Sequence, residues 1–146
     1  MRLSRALQIR NRVAGDVGVP LTAIRTVPIA AAGTGPSVAA IEQALAATGY
    51  SRFPVVDEAG EFIGFVHIKD MLDLIDLPGA VLGASVVRYL PRLPAAMPLP
   101  DALARLRQNN SHLALLTGAD GTVNGLLALE DLVEDVVGTV RDGLHR

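Results

Sequence analysis

Two aspartates could carry chemistry in this chain, because each occupies the same place in a repeated phrase. Asp70 lies six residues after Gly64 in "IGFVHIKDML", and Asp131 lies six residues after Gly125 in "NGLLALEDLV". A carboxylate at a strand-to-helix junction can accept two hydrogen bonds from a vicinal diol such as a ribose. The glycine removes a side chain where another backbone or a ligand comes close. The alternative is that each aspartate only caps its helix, and the repetition in register leaves both interpretations open.

The repeat extends well beyond the two aspartates. Both pairs are offset by 61 residues, and the register holds without a gap from Ser51/His112 to about Leu74/Asp135. The phrases "SRFP" and "SHLA" occupy matching places upstream. An internal repeat of this kind predicts two similar units, each too small to bury its own sheet. Two such units packed face to face would share one core.

The elements that must position these residues follow the same order in both units. In the first, "LTAIRTVPI" is extended, "AAGTGPS" is a loop with Ser37 as helix cap, and a helix ends at Gly49. "RFPVVD" and "FIGFVHI" then predict a hairpin, and "KDMLDLI" is helical. In the second, "VVRYLPRLP", "PLPDALARLRQNN", "HLALLT", "TVNGLLAL" and "EDLVEDVVGTV" repeat this order. The predicted fold class is α+β, with two β-α-β-β-α repeats packed about a pseudo-twofold axis.

Composition removes several classes of function. The chain has 146 residues, half of them hydrophobic, a net charge of −2 and no cysteine. There is therefore no disulfide framework, thiolate metal site or thiol nucleophile, and no general binding of polyanions such as nucleic acid is expected. No apolar run reaches the roughly 18–20 residues of a membrane helix. We expect the chain itself to be soluble, whether it stands alone or is a piece of a larger protein.

Catalysis is poorly supported by the motifs. The chain has three histidines, with no HExxH pair and no GxSxG elbow. A nucleophile–base pair of Ser51 and His112, which occupy equivalent repeat positions, is disfavoured, and "GTGPS" lacks the lysine of a phosphate loop. An acidic run could bind a divalent cation: Glu130, Asp131, Glu134 and Asp135. The run is explained at least as well as acids that are solvated or favourably placed in the first turn of a helix. No enzyme activity and no metal site are predicted.

In its repeated phrases, the chain resembles a pair of CBS domains, a tandem (Bateman) module that binds adenine nucleotides. More narrowly, it is similar to the CBS pair of the CorC/HlyC/CNNM family, membrane proteins implicated in magnesium and cobalt export. The resemblance covers roughly residues 13–142 and is carried by four segments in order: "VGVPLTAI", "GYSRFPVVDEAGEFIGFVHIKDML", "NSHLALL" and "GLLALEDLVEDVVGTVRD". The implied boundaries are a linker helix over 1–16, CBS domain 1 over 17–76, a linker over 77–87, CBS domain 2 over 88–142 and a tail over 143–146.

The resemblance also implies binding residues. The family's "VMTPR" segment corresponds to Val17–Leu21, its "GYSRFP" segment to Gly49–Pro54, and its "G-h-h-T-x-E-D" segment to Gly125–Asp131, with Asp131 as the ribose ligand. The implied nucleotide-binding residues are Val19, Tyr50, Ser51, Arg52, Phe53, Pro54, Ala128 and Asp131. A second, weaker cleft would use His67, Asp70 and His112.

Two departures from the family pattern concern the threonine that precedes the aspartate. It is Ala128 in the second unit and His67 in the first. Without the threonine hydroxyl, one hydrogen bond to the ribose or phosphate is lost. This loss costs about 0.5–1.5 kcal/mol of binding free energy, or about a factor of ten in affinity at most. Because His67 is also bulky, the expected cleft is the one that joins "GYSRFP" to Asp131.

The resemblance implies a regulatory module that binds ATP or AMP, with or without magnesium, and has no tightly bound cofactor. It would form a homodimer and belong to the cytoplasmic side of a plasma-membrane ion transporter, attached to a membrane domain. The alternative is a structural dimerisation module that has lost its ligand.

Overall fold

The computed structural model describes residues 12–77 and 79–144. The chain divides into two compact units: a central unit, Arg25–Leu90, and a terminal unit that joins residues up to Ile24 with those from Pro91 onward. In this grouping residues 17–24 pack in the terminal unit, and the domain boundaries implied by the resemblance stay a prediction. Most of the helix predicted near the N-terminus (residues 1–11) and the last two residues of the tail lie outside the described residues.

Short strands and helices alternate along the chain, as expected for an α+β fold. The helices are α1 (Ala14–Val17), α2 (Val38–Thr48), α3 (Leu99–Gln108) and α4 (Leu129–Leu144). Among the described residues, three 3-10 helices span Leu21–Ala23, Ile68–Leu74 and Ala84–Val86. The strands are β1 (Val19–Pro20), β2 (Val27–Pro28), β3 (Thr34–Ser37), β4 (Arg52–Val56), β5 (Phe62–His67), β6 (Val81–Gly83), β7 (Arg92–Pro94), β8 (Leu113–Thr117) and β9 (Val123–Ala128).

Each unit has its own core, and the central unit has two sheets where the terminal unit has one. In the central unit, β4 lies between β2, to which it is parallel, and β5, to which it is antiparallel, while β3 pairs with β6. In the terminal unit the strand order is β1-β9-β8-β7. The apolar faces of α2 and α3 are buried against these sheets, and the fully buried side chains include Ile41 and Phe53 in the central unit and Leu106 and Leu127 in the terminal unit.

The repeat is confirmed strand by strand. The hairpin β4–β5 and the hairpin β8–β9 have the same lengths and the same register when offset by 61 residues. Val55 faces Gly64 as Leu116 faces Gly125, and each hairpin has an irregularity directly after that pair. The two predicted repeat glycines therefore occupy equivalent positions.

The helix ends predicted around α2 are confirmed. The Ser37 side chain accepts a hydrogen bond from the Ala40 N–H at 3.1 Å, and Gly49 ends the helix at a φ of 75°. A positive φ of this size favours glycine, so the residue type explains where the helix ends.

Four segments differ from their predicted structure, and the first is Leu21–Ala23, a 3-10 helix at the start of a segment predicted to be extended. The predicted loop "AAGTGPS" contains β3, and the predicted linker 77–87 contains β6, its partner strand. A Cβ on Gly35 would lie 3.0 Å from the carbonyl oxygens of Leu82 and Gly83, so the glycine that resembled a loop signal admits the partner strand. "KDMLDLI" lies in a 3-10 helix, whose first turn is tightened by local side-chain hydrogen bonds to the His67 and Lys69 N–H groups.

Candidate functional site

The strand-to-helix junction is built in the same way in the two units. In the central unit, the Ile68 N–H donates to the Ser51 carbonyl at 2.9 Å, and in the terminal unit the Leu129 N–H donates to the His112 carbonyl at 2.8 Å. Ser51 and His112 therefore serve their junctions through backbone carbonyls. Each junction places its aspartate in the first turn of the following helix.

Asp70 is fully engaged by its own unit. Its Oδ2 accepts the His67 N–H at 3.0 Å, as a helix cap would. The Arg88 guanidinium donates to both carboxylate oxygens, from Nη1 to Oδ2 at 2.5 Å and from Nη2 to Oδ1 at 2.9 Å. The Asp70 side chain is only 11% exposed. The capping interpretation is therefore confirmed for Asp70, and an ion pair accompanies the cap.

The position of Arg88 is fixed by its backbone. Its N–H donates to the Phe65 carbonyl at 2.8 Å, and its carbonyl accepts the Phe65 N–H at 2.9 Å. A Cβ on Gly64 would lie 2.4 Å from the Arg88 carbonyl oxygen. The absence of a side chain at Gly64 thus allows the segment containing Arg88 to cross β5.

The terminal unit has the same crossing with a different residue. Val19 pairs with Leu126, the repeat equivalent of Phe65, and a Cβ on Gly125 would lie 2.7 Å from the Val19 carbonyl oxygen. Val19 therefore holds the place that Arg88 holds in the central unit. Its apolar side chain cannot pair with a carboxylate.

Asp131 is exposed in the first turn of α4. Within residues 12–77 and 79–144, its carboxylate forms no hydrogen bond or ion pair. The two repeated aspartates thus have the same backbone setting but differ in their side-chain contacts. The Asp70 carboxylate is paired, whereas the Asp131 carboxylate is exposed to solvent and accessible to a ligand.

His67 is a second difference at the central junction. Its Nδ1 accepts the Lys69 N–H at 3.0 Å, so this ring nitrogen carries no proton. Burial, and then the positive charges of Arg52, Lys69 and Arg88, lower the pKa of His67. At neutral pH the ring is uncharged, and it fills the place where a threonine hydroxyl was expected. Ala128, at the equivalent place in the terminal unit, is half-buried and has only a methyl side chain.

The remaining histidine of the predicted second cleft lies in the terminal unit. His112 Nδ1 is 3.1 Å from Glu130 Oε1, and both side chains are about half exposed. Asp135, one turn further along α4, forms an ion pair with Arg12. Among the described residues, no group of three or more histidine or acidic side chains is arranged to hold a metal ion.

The predicted "GYSRFP" segment combines exposed and buried residues. Tyr50 is 57% exposed, whereas Phe53 is fully buried and Pro54 is also buried. The rings of Tyr50 and Phe53 are tilted by 42° with centroids 6.5 Å apart. Phe53 and Pro54 therefore contribute their side chains to the core, which leaves Tyr50 and the exposed Ser51 as the side chains that solvent reaches most readily.

Backbone direction divides the residues of this segment. The Ser51 carbonyl faces β5, and residues alternate along an antiparallel pair, so Phe53 also directs its backbone groups toward β5. The N–H and C=O groups of Arg52 consequently face the opposite edge of β4, and β2 pairs with β4 only at Val55 and Val56.

Arg88 was absent from the residues predicted from the sequence. It lies 18 residues after Asp70, outside the ungapped repeat, in "VVRYLPRLP", where nothing distinguishes it from a surface arginine. The available signal in the sequence was Gly64. Its missing side chain indicated that another segment packs closely against β5, but not which segment.

Comparisons with known proteins agree with this description. The family model "CBS domain" matches residues 23–77. The chain is 60% identical over 145 residues to an uncharacterized protein of Mycobacterium tuberculosis, covering 99% of the chain and 42% of that protein. It is 28% identical over 142 residues to Hemolysin C of Rickettsia prowazekii, covering 96% of the chain and 45% of that protein. The chain thus spans less than half the length of these relatives.

A solved structure shows the same fold. It is the CBS domain of a bacterial CNNM/CorC family Mg²⁺ transporter in complex with ATP, with a TM-score of 0.79 and 23% identity, covering 94% of this chain and 95% of that one. Within the part of the chain that the structure describes, no helix is both long enough and apolar enough to span a membrane.

Proposed function

We propose that this chain, which contains a CBS domain and has the fold of a CNNM/CorC CBS domain, is a regulatory module of the CorC/HlyC/CNNM family that binds an adenine nucleotide, with Asp131 as the ribose ligand. The observation that carries the proposal is the contrast between the two repeated aspartates. Asp70 is paired with Arg88 at both oxygens, whereas Asp131 is exposed and forms no such bond within the described residues.

The chemistry of Asp131 suits a vicinal diol. An ionised carboxylate is acceptor-only and has two oxygens, so it can accept one hydrogen bond from each ribose hydroxyl. Hydrogen bonds to a charged group contribute about 1.5–3 kcal/mol, more than those between neutral groups. Asp131 therefore contributes a large share of the affinity, and the assignment of the Gly49–Pro54 segment to the same ligand stays a prediction from the resemblance.

The relatives support a wider setting for the module. The chain spans 42% of a Mycobacterium tuberculosis relative, and the similar solved structure is the CBS domain of a Mg²⁺ transporter. We infer that the module is the cytoplasmic part of a longer membrane protein of this kind and biases the conformation of its membrane domain. A nucleotide can do this only if it binds two conformations of the module with different affinity.

Isothermal titration calorimetry of the chain with ATP and with AMP, each with and without Mg²⁺, tests nucleotide binding. Asp131→Ala should weaken binding by more than tenfold, because it removes both charge-assisted hydrogen bonds. Asp70→Ala should change affinity little, because that carboxylate is already paired. Glu134→Ala is a matched control, an exposed acid on the same helix. Unchanged binding by Asp131→Ala together with its loss in Asp70→Ala would show that the central unit holds the ligand.

The same titration has a complementary variant. Ala128→Thr restores the hydroxyl that the family carries before the aspartate, and it should tighten binding by up to about tenfold. Unchanged affinity in Ala128→Thr would show that the ligand does not contact residue 128 at the end of β9.

A structural dimerisation module without a ligand is the second candidate, and two observations favour it. Neither Ala128 nor His67 supplies the expected hydroxyl, and apolar side chains are exposed on helices of both units: Leu72, Val133 and Val137. A chain that dimerises but shows no heat of binding with millimolar ATP or AMP would support this candidate over the first.

A further inference from the structure

Arg88 and Val19 hold equivalent places in the two units but differ completely in chemistry. Each belongs to the segment that crosses the second strand of its hairpin opposite the repeat glycine, where Arg88 pairs with Phe65 and Val19 with Leu126. We propose that Arg88 is a specificity-determining residue that closes the central unit to nucleotide, so that only the unit carrying Val19 accepts one. This inference rests on the proposed function and adds the residue that restricts it to one site.

Arg88 closes the central unit because its guanidinium occupies both carboxylate oxygens of Asp70. The two ribose hydroxyls would need both oxygens of Asp70, and Arg88 donates to both, at 2.5 and 2.9 Å. A bidentate pair between arginine and a carboxylate is among the stronger hydrogen-bonded contacts in proteins. A neutral diol offers no charge, so it cannot replace the guanidinium without leaving a largely buried carboxylate less well compensated.

The arginine is also held in place before any ligand arrives. Two backbone hydrogen bonds join Arg88 to Phe65, and the Asp70 carboxylate is fixed by the His67 N–H. The Arg88 backbone and the Asp70 carboxylate are therefore positioned independently of the ion pair, and only the arginine side chain has to be ordered when the pair forms. Displacement by a ligand would have to overcome a preformed arrangement.

Transfer of the arginine to the other unit tests the inference directly. Val19→Arg places a guanidinium at the equivalent position in the terminal unit, on a residue that is 37% exposed and has room for a longer side chain. Calorimetry with ATP should show affinity reduced by more than tenfold. Thr22→Arg is the matched control, since it adds the same charge to an exposed position three residues along and should leave affinity within about twofold.

The reciprocal exchange uses a background in which the terminal site has been removed. In Asp131→Ala, the double substitution His67→Ala and Arg88→Val rewrites the central junction to match the terminal one, and it should restore measurable ATP binding. His67→Ala alone in the same background keeps Arg88 and should restore none. Circular dichroism melts of each variant establish that it is folded before titration.

The outcomes separate this inference from the proposed function. If the wild-type chain binds ATP through Asp131 but neither exchange changes affinity, the role of Arg88 is overturned while the proposed function stands. If the wild-type chain binds no ATP, the proposed function fails; binding gained with His67→Ala and Arg88→Val in the wild-type chain would still support the role of Arg88, and no gain would overturn it.

Discussion

Replacing Gly64 by alanine should destabilise the chain strongly, because this glycine allows another segment to cross β5. The new Cβ would lie 2.4 Å from the Arg88 carbonyl oxygen and 2.5 Å from Val87 Cγ1. Overpacking of this kind typically costs about 1–3 kcal/mol. If the crossing segment moves away instead, the two hydrogen bonds between Phe65 and Arg88 are lost, at about 0.5–1.5 kcal/mol each.

Either response lowers the free energy of unfolding by about 1–3 kcal/mol, a large part of the roughly 5–15 kcal/mol of a typical domain. Urea denaturation followed by far-UV circular dichroism measures the change. Gly138→Ala is the control with the opposite sign: a Cβ there has no neighbour within 4 Å, and alanine in a helix is favoured over glycine by about 0.5–1 kcal/mol. A Gly64→Ala variant as stable as the wild-type chain would refute this account of the repeat glycines.

Two further predictions concern pH and assembly. The pKa of His67 is lowered by burial and by neighbouring positive charges, so near pH 6 the unfolded chain binds more protons than the folded chain. The free energy of unfolding should therefore stay constant above the ordinary histidine pKa of about 6.5 and decrease as the pH falls below that value. Urea denaturation at pH 7.5 and 5.5 checks this, and a His67→Ala variant that keeps the whole difference would contradict it. The exposed apolar residues Val133 and Val137 on α4 favour a homodimer. Light scattering should show a dimer that Val133→Glu weakens, and a strict monomer at high concentration would count against it.

The fold was largely predictable from the sequence because its signals are local. The hairpins follow from short apolar runs separated by turns, and the two turn glycines, Gly60 and Gly121, have φ values of 81° and 82°. The ends of α2 follow from Ser37 and Gly49 in the same way. The β3–β6 pair was not predictable, because its strands are short and rich in residues typical of loops. Its stability depends on a contact between segments that are far apart in sequence.

The candidate site was predictable only in part. The repeat correctly placed Asp70 and Asp131 at equivalent junctions, since that equivalence lies within the ungapped register. The difference between them comes from Arg88 and Val19, which lie outside the register. Repeat alignment therefore predicts two matching sites where the structure has one paired and one open carboxylate.

The repeated glycine thus has the same structural role in both units, but the nearby aspartate is paired in one and exposed in the other. In both units the glycine admits a crossing backbone, whose carbonyl oxygen lies 2.4 Å from where a Cβ would stand in one unit and 2.7 Å in the other. The crossing segment then decides what the nearby aspartate can do, because its side chain either neutralises the carboxylate or leaves it open. If nucleotide binds as proposed, a single substitution in that segment should change ligand binding without altering the hairpin, the junction or the aspartate. The hairpin and its glycine are the same in the two units, while the residue in the crossing segment sets whether the nearby aspartate is paired or open.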